Sequence, residues 1–222
     1  TYLNVSECYI SDLTWIELFV NLDSLLCSIN HLTSLNVSKN HKLKALDCSI
    51  NEISELYYSN FYTLEKLWCA ENKLSQLDVS ENVDLKSLNC GWNPLKSLDI
   101  SNNSKLSYLN CNCDSLKSLD ISKNPGLLYL DCNGNQLINL NVSENAALEQ
   151  IDCSQNRLTG LDISSNISLK RLRCYGNQLY TLDVFHNVEL EELWCWDNLL
   201  TTLDVTSNVN LKELELYRNL LI

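Results

Sequence analysis

The chain has 222 residues, a net charge of −12 and eleven cysteines, with no methionine, five glycines and two prolines. So acidic a chain opposes binding to nucleic acid, because phosphates need a basic face. Its longest apolar stretch, Leu13 to Leu22, contains Glu17 and falls short of the roughly 20 residues a membrane helix needs, so no membrane insertion is expected.

Residues 1–21 form an irregular first segment. Leu3 to Ile10 suits a short strand leaving into a turn. Over 11–21, Ser11 and Asp12 are the residue types that cap helix N-termini, and Leu13, Ile16 and Phe19 recur at helical spacing. A short helical turn is expected to begin the fold there.

From Leu22 to the end the chain repeats with a period of 21. Cys27, Cys48, Cys69, Cys90, Cys111, Cys132, Cys153, Cys174 and Cys195 keep that spacing, and Leu216 takes the next slot. Leu22, Leu43, Leu64 and their successors lead each cysteine by five residues. Asn30, Asn51, Asn72, Asn93, Asn135, Asn156, Asn177 and Asn198 follow by three, with Asp114 the exception. The unit is L-x-x-L-x-C-x-x-N-x-L-x-x-L-D-V-S-x-N-x-x. Cys8 falls in the Asn slot of the irregular segment. A strict period of this length means a solenoid, each unit burying its apolar face on its neighbours. Within a unit the fourth and sixth residues share parity, so Leu and Cys point inward from a short strand. The Asn that follows satisfies backbone groups at the turn.

The second half of the unit nearly copies the first and carries its own Asn column: Asn40, Asn82, Asn103, Asn124, Asn145, Asn166, Asn187 and Asn208, interrupted by Phe61. The back of each coil is therefore expected to be extended, and similar widths front and back imply gentle curvature. About ten coils result, with a parallel β-sheet on the front. No polar cap follows Leu221, so the repeat is expected to continue beyond this chain or to meet another domain.

The half-unit L-x-x-L-x-C-x-x-N-x-L resembles the leucine-rich repeat with cysteine in a leucine slot. "LDCSINEI", "LDCSQNRL" and "LDVSEN", with the entry "ISDLTWIELFVNLDSL", resemble the internalin family of leucine-rich-repeat surface proteins, in its form with 21-residue repeats and a cysteine ladder. That resemblance implies a secreted or wall-attached bacterial protein, extracellular or at the cell surface, used for adhesion or protein binding.

Four roles compete for the cysteine column. Bridges between coils are disfavoured, because parallel Cβ vectors resist the disulfide dihedral of about 90°. Zinc would want clustered pairs, and Cys111 with Cys113 is the only close one. Catalysis would want a base, and His31, His41 and His186 all occupy turn slots. The remaining role is packing by a slim apolar side chain. Cys113, just past the ladder, is the thiol expected to react. No metal, cofactor or enzymatic activity is expected.

Function is expected on the outward positions of the front strand. Trp68 and Trp194 stand at the fifth place of their units, Trp196 at the seventh and Trp92 at the eighth. Tyr108 and Tyr129 hold the third place, Tyr175 and Tyr217 the seventh. Acids lie between them, including Asp47, Asp131, Asp152 and Glu192. Strands favour aromatics that merely stack along a sheet. Against that reading, the back repeats "LDVS" and "LDIS" with no tryptophan at all. Varied aromatic residues on one face point to recognition, of a host or environmental surface protein or, alternatively, of carbohydrate. The Asp row of the back, Asp78 to Asp204, either binds cations or accepts turn N–H groups; the second is favoured because calcium-type Gly-rich turns are missing.

Overall fold

The computed structural model describes residues 1–58 and 62–222; Phe61, the interruption in the back Asn column, lies outside them. Among the described residues there are thirteen strands of three residues each: β1 (Tyr2–Asn4), β2 (Ser24–Leu26), β3 (Ser34–Asn36), β4 (Ala45–Asp47), β5 (Glu55–Tyr57), β6 (Lys66–Trp68), β7 (Ser87–Asn89), β8 (Tyr108–Asn110), β9 (Tyr129–Asp131), β10 (Gln150–Asp152), β11 (Arg171–Arg173), β12 (Glu192–Trp194) and β13 (Glu213–Glu215). Eleven of them form one parallel sheet on the front, in the order β1-β2-β4-β6 and then β7 through β13. Strands β3 and β5 pair on the back. The chain is a leucine-rich-repeat solenoid of about ten coils.

The pairing shows the period directly. Leu46 stands opposite Leu67, and Leu67 opposite Leu88. The first pair has one residue more, with Leu3 opposite Leu25, and this places Cys8 in the Asn slot. The central residue of each internal front strand is buried and its two neighbours face outward. Leu214 of β13, on the last strand of the sheet, is 38% exposed.

Backbone pairing continues past the strand ends. The Cys174 N–H donates to Trp194 O at 2.8 Å, and the Gly176 N–H to Trp196 O at 3.0 Å. The residue two places after each ladder cysteine, and after Leu216 in the same slot, is left-handed, from Ile29 at φ 54° to Arg218 at φ 55°. Glycine fills that position only at Gly134 and Gly176. Elsewhere an L-residue accepts a local penalty of about 1–2 kcal/mol, most marked for the β-branched Ile29 and Ile50.

The asparagine that follows offsets this strain. Asn177 Nδ2 donates to the carbonyls of Cys153 and Cys174, both at 3.0 Å, while its Oδ1 accepts the Leu158 N–H at 3.0 Å. One amide thus ties two coils together and closes its own turn. The back column works the same way on one side only. Asn166 Nδ2 donates to Val142 O at 3.1 Å and Asn145 O at 2.9 Å, but its buried Oδ1 receives no hydrogen bond.

Between the two columns lies the core. The nine ladder cysteines are fully buried with the leucines around them, and burial pushes their thiols up, Cys27 to about 12 and Cys195 to about 11. The ladder is therefore packing. Cys8 is exposed and Cys113 only half-buried, with its thiol pushed up by burial and by Asp131. The expectation that Cys113 is the reactive thiol is corrected: Cys8 is the more accessible, since the Asn slot of the first coil has no preceding coil to cover it.

The back is extended, as the half-repeat implied. Its Asp row is used locally. Asp99, Asp120 and Asp162 each accept the N–H two residues on, at 2.9–3.0 Å. The N-terminal turn is shorter than expected: a single 3₁₀ turn, Ile16–Leu18, preceded by Trp15 at φ 76°. Asp12 binds the Thr14 N–H and hydroxyl. Ile16 is buried but Phe19 is 58% exposed, because the turn ends at Leu18 and Phe19 leaves it at φ −83°, ψ 60°, so the face begun by Ile16 does not continue. Asn40 closes this turn by donating to the carbonyls of Ile16 and Phe19.

Candidate interaction face

The front sheet divides into two parts. From β2 to β7 the outward side chains are mostly small: Ser24, Ala45 and Ser87 on one flank, Ser28, Ser49, Ala70 and Gly91 just past the strands. Three of the expected site residues lie here, apart from the rest. Asp47 spends Oδ1 on the Ser49 N–H at 3.1 Å. Trp68 is covered by Lys66, whose Nζ sits 3.1 Å from the ring centroid, and its Nε1 donates to Ser87 Oγ. Trp92 is 59% exposed at the left-handed exit position, φ 56°, on the rim rather than the face.

From β8 to β13 the side chains become large and charged, and the other nine expected residues come together. Tyr108 and Tyr129 stack with centroids 4.5 Å apart and rings 4° from parallel. On the opposite flank Tyr175, Trp196 and Tyr217 form a second stack, at 4.2 Å and 5.1 Å. In-register parallel strands bring identical positions of successive coils alongside one another, so rings 21 residues apart meet face to face.

Between the stacks runs the middle row, Asp131, Asp152, Arg173, Trp194 and Glu215. The Arg173 guanidinium lies 4.0 Å over the Trp194 ring, and its Nε donates to Glu192 Oε1 at 2.6 Å. A shallow hollow of about 460 Å³ opens beside it, lined by Tyr129, Asp131, Gln150, Asp152, Arg173 and Glu192. Burial, with the charge of neighbouring Asp152, pushes the Asp131 carboxyl up to about 6 against the bond from the Asn133 N–H. Burial also raises Asp152. Two poorly hydrated carboxylates thus sit side by side while Arg173 is engaged by Glu192 and Trp194. Such a surface can accept a cation and can offer aromatic rings to a partner. Among the described residues no group of three or more His, Cys, Asp or Glu is arranged to hold a metal ion.

Arg173 and Arg171 escaped the aromatic-and-acid reading, although Arg173 stands 21 residues from both Asp152 and Trp194 and was legible by period. A column of ion pairs also went unread. Glu65–Lys86, Glu149–Lys170 and Glu191–Lys212 meet at 2.7–3.0 Å, each partner 21 residues from the other. Solvent-exposed pairs of this kind add little to stability. On the back, a second hollow is lined by Glu55, Tyr57, Tyr58, Asp78 and Asp99. It marks the coil where Tyr57-Tyr58 replaces the usual Asp-Val, and Tyr58 is buried with its hydroxyl donating to Asp78 O at 2.5 Å.

No protein-family model matches the chain, and no curated protein matches it. Solved structures do. The functional domain of InlJ from Listeria monocytogenes, which includes a cysteine ladder, is 29% identical with a TM-score of 0.59, over 99% of this chain and 63% of that one. An internalin, inlF, from the same organism is 22% identical with a TM-score of 0.84, over 99% of this chain and 74% of that one. YopM, a leucine-rich effector protein from Yersinia pestis, is 26% identical with a TM-score of 0.78, over 90% of this chain and 56% of that one. The chain thus spans less than two thirds of the InlJ and YopM structures. Its fold is internalin-like, and the cysteine ladder is shared with InlJ. The lower score against the more identical relative fits a solenoid, in which small rotations per repeat accumulate along the stack. No helix among the described residues is long and apolar enough to cross a membrane.

Proposed function

We propose that this chain is a non-enzymatic protein-binding module of a secreted or cell-surface bacterial protein, that it serves adhesion or a related contact, and that it binds through the front face of β8 to β13. Likeness to internalin and YopM structures supports a module for protein interaction. One observation carries the choice of face. Varied aromatic and charged side chains gather on β8 to β13, whereas the back repeats Asp-x-Ser turns that serve its own backbone. The desolvated pair Asp131 and Asp152 fits a lysine or arginine brought by the partner. Association should therefore weaken with salt.

Ring geometry favours protein over carbohydrate. A sugar stacks on an exposed aromatic face, but in both stacks the facing rings cover one another. Only the ends are free, as at Tyr217, which is 53% exposed. Trp92 offers a separate exposed indole on the rim.

The test is to display the immobilised chain to arrays of surface proteins and of glycans. The expected result is protein capture that falls at least about tenfold in Trp194→Ala/Trp196→Ala and in Asp131→Asn/Asp152→Asn. Unchanged capture by both double variants would sink the proposal. Glycan capture lost in Tyr217→Ala or Trp92→Ala would replace it with the carbohydrate reading. Antibody labelling of intact source cells tests the location, and signal only after lysis would reject it.

A further inference from the structure

The front asparagine column has one break, at Asp114. On either side of it an amide performs two tasks at once. Asn93 Nδ2 donates to Cys69 O at 3.1 Å and Cys90 O at 2.9 Å. Asn135 Nδ2 donates to Cys111 O at 2.9 Å and Cys132 O at 3.0 Å, while its Oδ1 accepts the Leu116 N–H at 2.9 Å. In each rung, then, Nδ2 faces the carbonyl of its own coil's cysteine and that of the coil before.

Asp114 keeps an accepting role with a shifted donor; in the rungs on either side Oδ1 takes the leucine-slot N–H, as Asn93 does from Leu74. Its Oδ1 takes the Asn93 N–H at 2.9 Å, and the Leu95 N–H also bonds the carboxyl. The second oxygen, Oδ2, is buried and has no hydrogen-bond partner. By the register of the ladder, an asparagine amide N–H₂ at this rung would face the carbonyls of Cys90 and Cys111. An ionised carboxylate there would set a charged oxygen against two carbonyl oxygens, in a residue only 8% exposed.

We propose that Asp114 is a neutral carboxylic acid in the folded protein at neutral pH, its Oδ2–H donating where the other rungs use an amide N–H, and that its ionisation loosens the stack at the β8 coil as pH rises. The titratable groups facing it are the thiols of Cys69, Cys90, Cys111 and Cys113. Their pKa values are all raised, so they stay neutral and offer no cation to a carboxylate. Burial pushes the Asp114 carboxyl up to about 8, against the opposing N–H bonds from Asn93 and Leu95.

The sign of the pH effect follows. Below about 3.8 both folded and unfolded chains hold the proton, and above about 8 neither does. Between those limits only the folded chain holds it, so stability falls as pH rises through the window. Asp114→Asn restores the amide of the other rungs and removes this dependence. The test is urea unfolding of both proteins from about pH 4 to about pH 8. The expected result is a ratio of unfolding constants, wild type over variant, that grows by up to about tenfold per pH unit inside the window, with the variant the more stable at the upper end. A ratio independent of pH, or a variant less stable at pH 8, would overturn the proposal. A second readout does not depend on unfolding. Among ¹³C-labelled Asp side-chain carboxyls, the resonance missing from Asp114→Asn should stay in the acid form at pH 6 and move near pH 8. The same resonance titrating with the exposed aspartates would equally reject it.

Discussion

The two sides of each coil are built from nearly the same half-repeat, L-x-x-L followed by a small apolar residue and an Asn three places on, yet they do different work. On the front the short strands pair continuously from β1 to β13, and the Asn amide is satisfied on both its ends. On the back, among the described residues, only β3 and β5 pair, and the Asn166 Oδ1 receives no hydrogen bond. The front spine is therefore self-sufficient, and its outward positions are free to vary. The back devotes its outward Asp residues to its own turns, which leaves less room for recognition. In a solenoid, the residues that hold the coils together and those that can meet a partner separate by face, and the difference shows up as uniformity against variety.

The contrast can be tested most strongly at the two Asn columns. Asn177→Ala leaves the Leu158 N–H orphaned and removes the Nδ2 bonds to the Cys153, Cys174 and Tyr175 carbonyls, so a loss on the order of 3 kcal/mol is expected. Asn166→Ala removes only the two carbonyl bonds and should cost about 2 kcal/mol. Urea unfolding measures both, and a back variant as costly as the front one would break the distinction.

A second comparison sets Cys174 against Val184, both fully buried at matching slots of the two half-repeats. If the ladder is packing, Cys174→Ser and Val184→Thr both bury a new hydroxyl and should each cost about 1–3 kcal/mol. A Cys174→Ser protein of unchanged stability would contradict this. The thiols also predict an alkaline limit. With Cys195 pushed up to about 11 and Cys27 to about 12, the folded chain keeps protons that the unfolded chain loses near 9.0. Stability should therefore decline as pH rises from about 9 towards 12. Thiol labelling of native protein at pH 8 should reach Cys8 first and leave the ladder untouched.

The smallest effect belongs to the back turns. Hydrogen bonds from the Ser164 hydroxyl and N–H hold the Asp162 carboxyl below its usual range. Its contribution is present above the unfolded value of 3.8 and is lost as pH falls through the lowered folded value. Asp162→Ala should leave stability at neutral pH nearly unchanged and slightly reduce the loss on acidification, as a pH series of unfolding midpoints would show.

Much of this was legible in the residues taken in order. The 21-residue spacing of Cys and Leu implied a solenoid with an apolar interior, and parity put Trp194 outward and Cys195 inward. The same arithmetic held Arg173 and the Glu–Lys column, which a search for aromatics and acids passed over. Other features could not be read along the chain. The irregular first coil contains one extra residue, and its expected helix shrank to a 3₁₀ turn, because the entry must match the width of a coil it does not repeat.

By itself the sequence determined the repeat, the buried ladder and the face that varies, since periodicity acts through strand parity and needs no knowledge of neighbours. Only the tertiary structure decided which outward residues meet. Rings 21 residues apart became covered stacks, Trp68 was claimed by Lys66, and Arg173 turned to Glu192 and Trp194, leaving Asp131 and Asp152 as the acidic part of the hollow. The same holds for Asp114, an ordinary acid by composition. Its proton follows from the two carbonyls and the burial that stacking imposes, which no local pattern encodes.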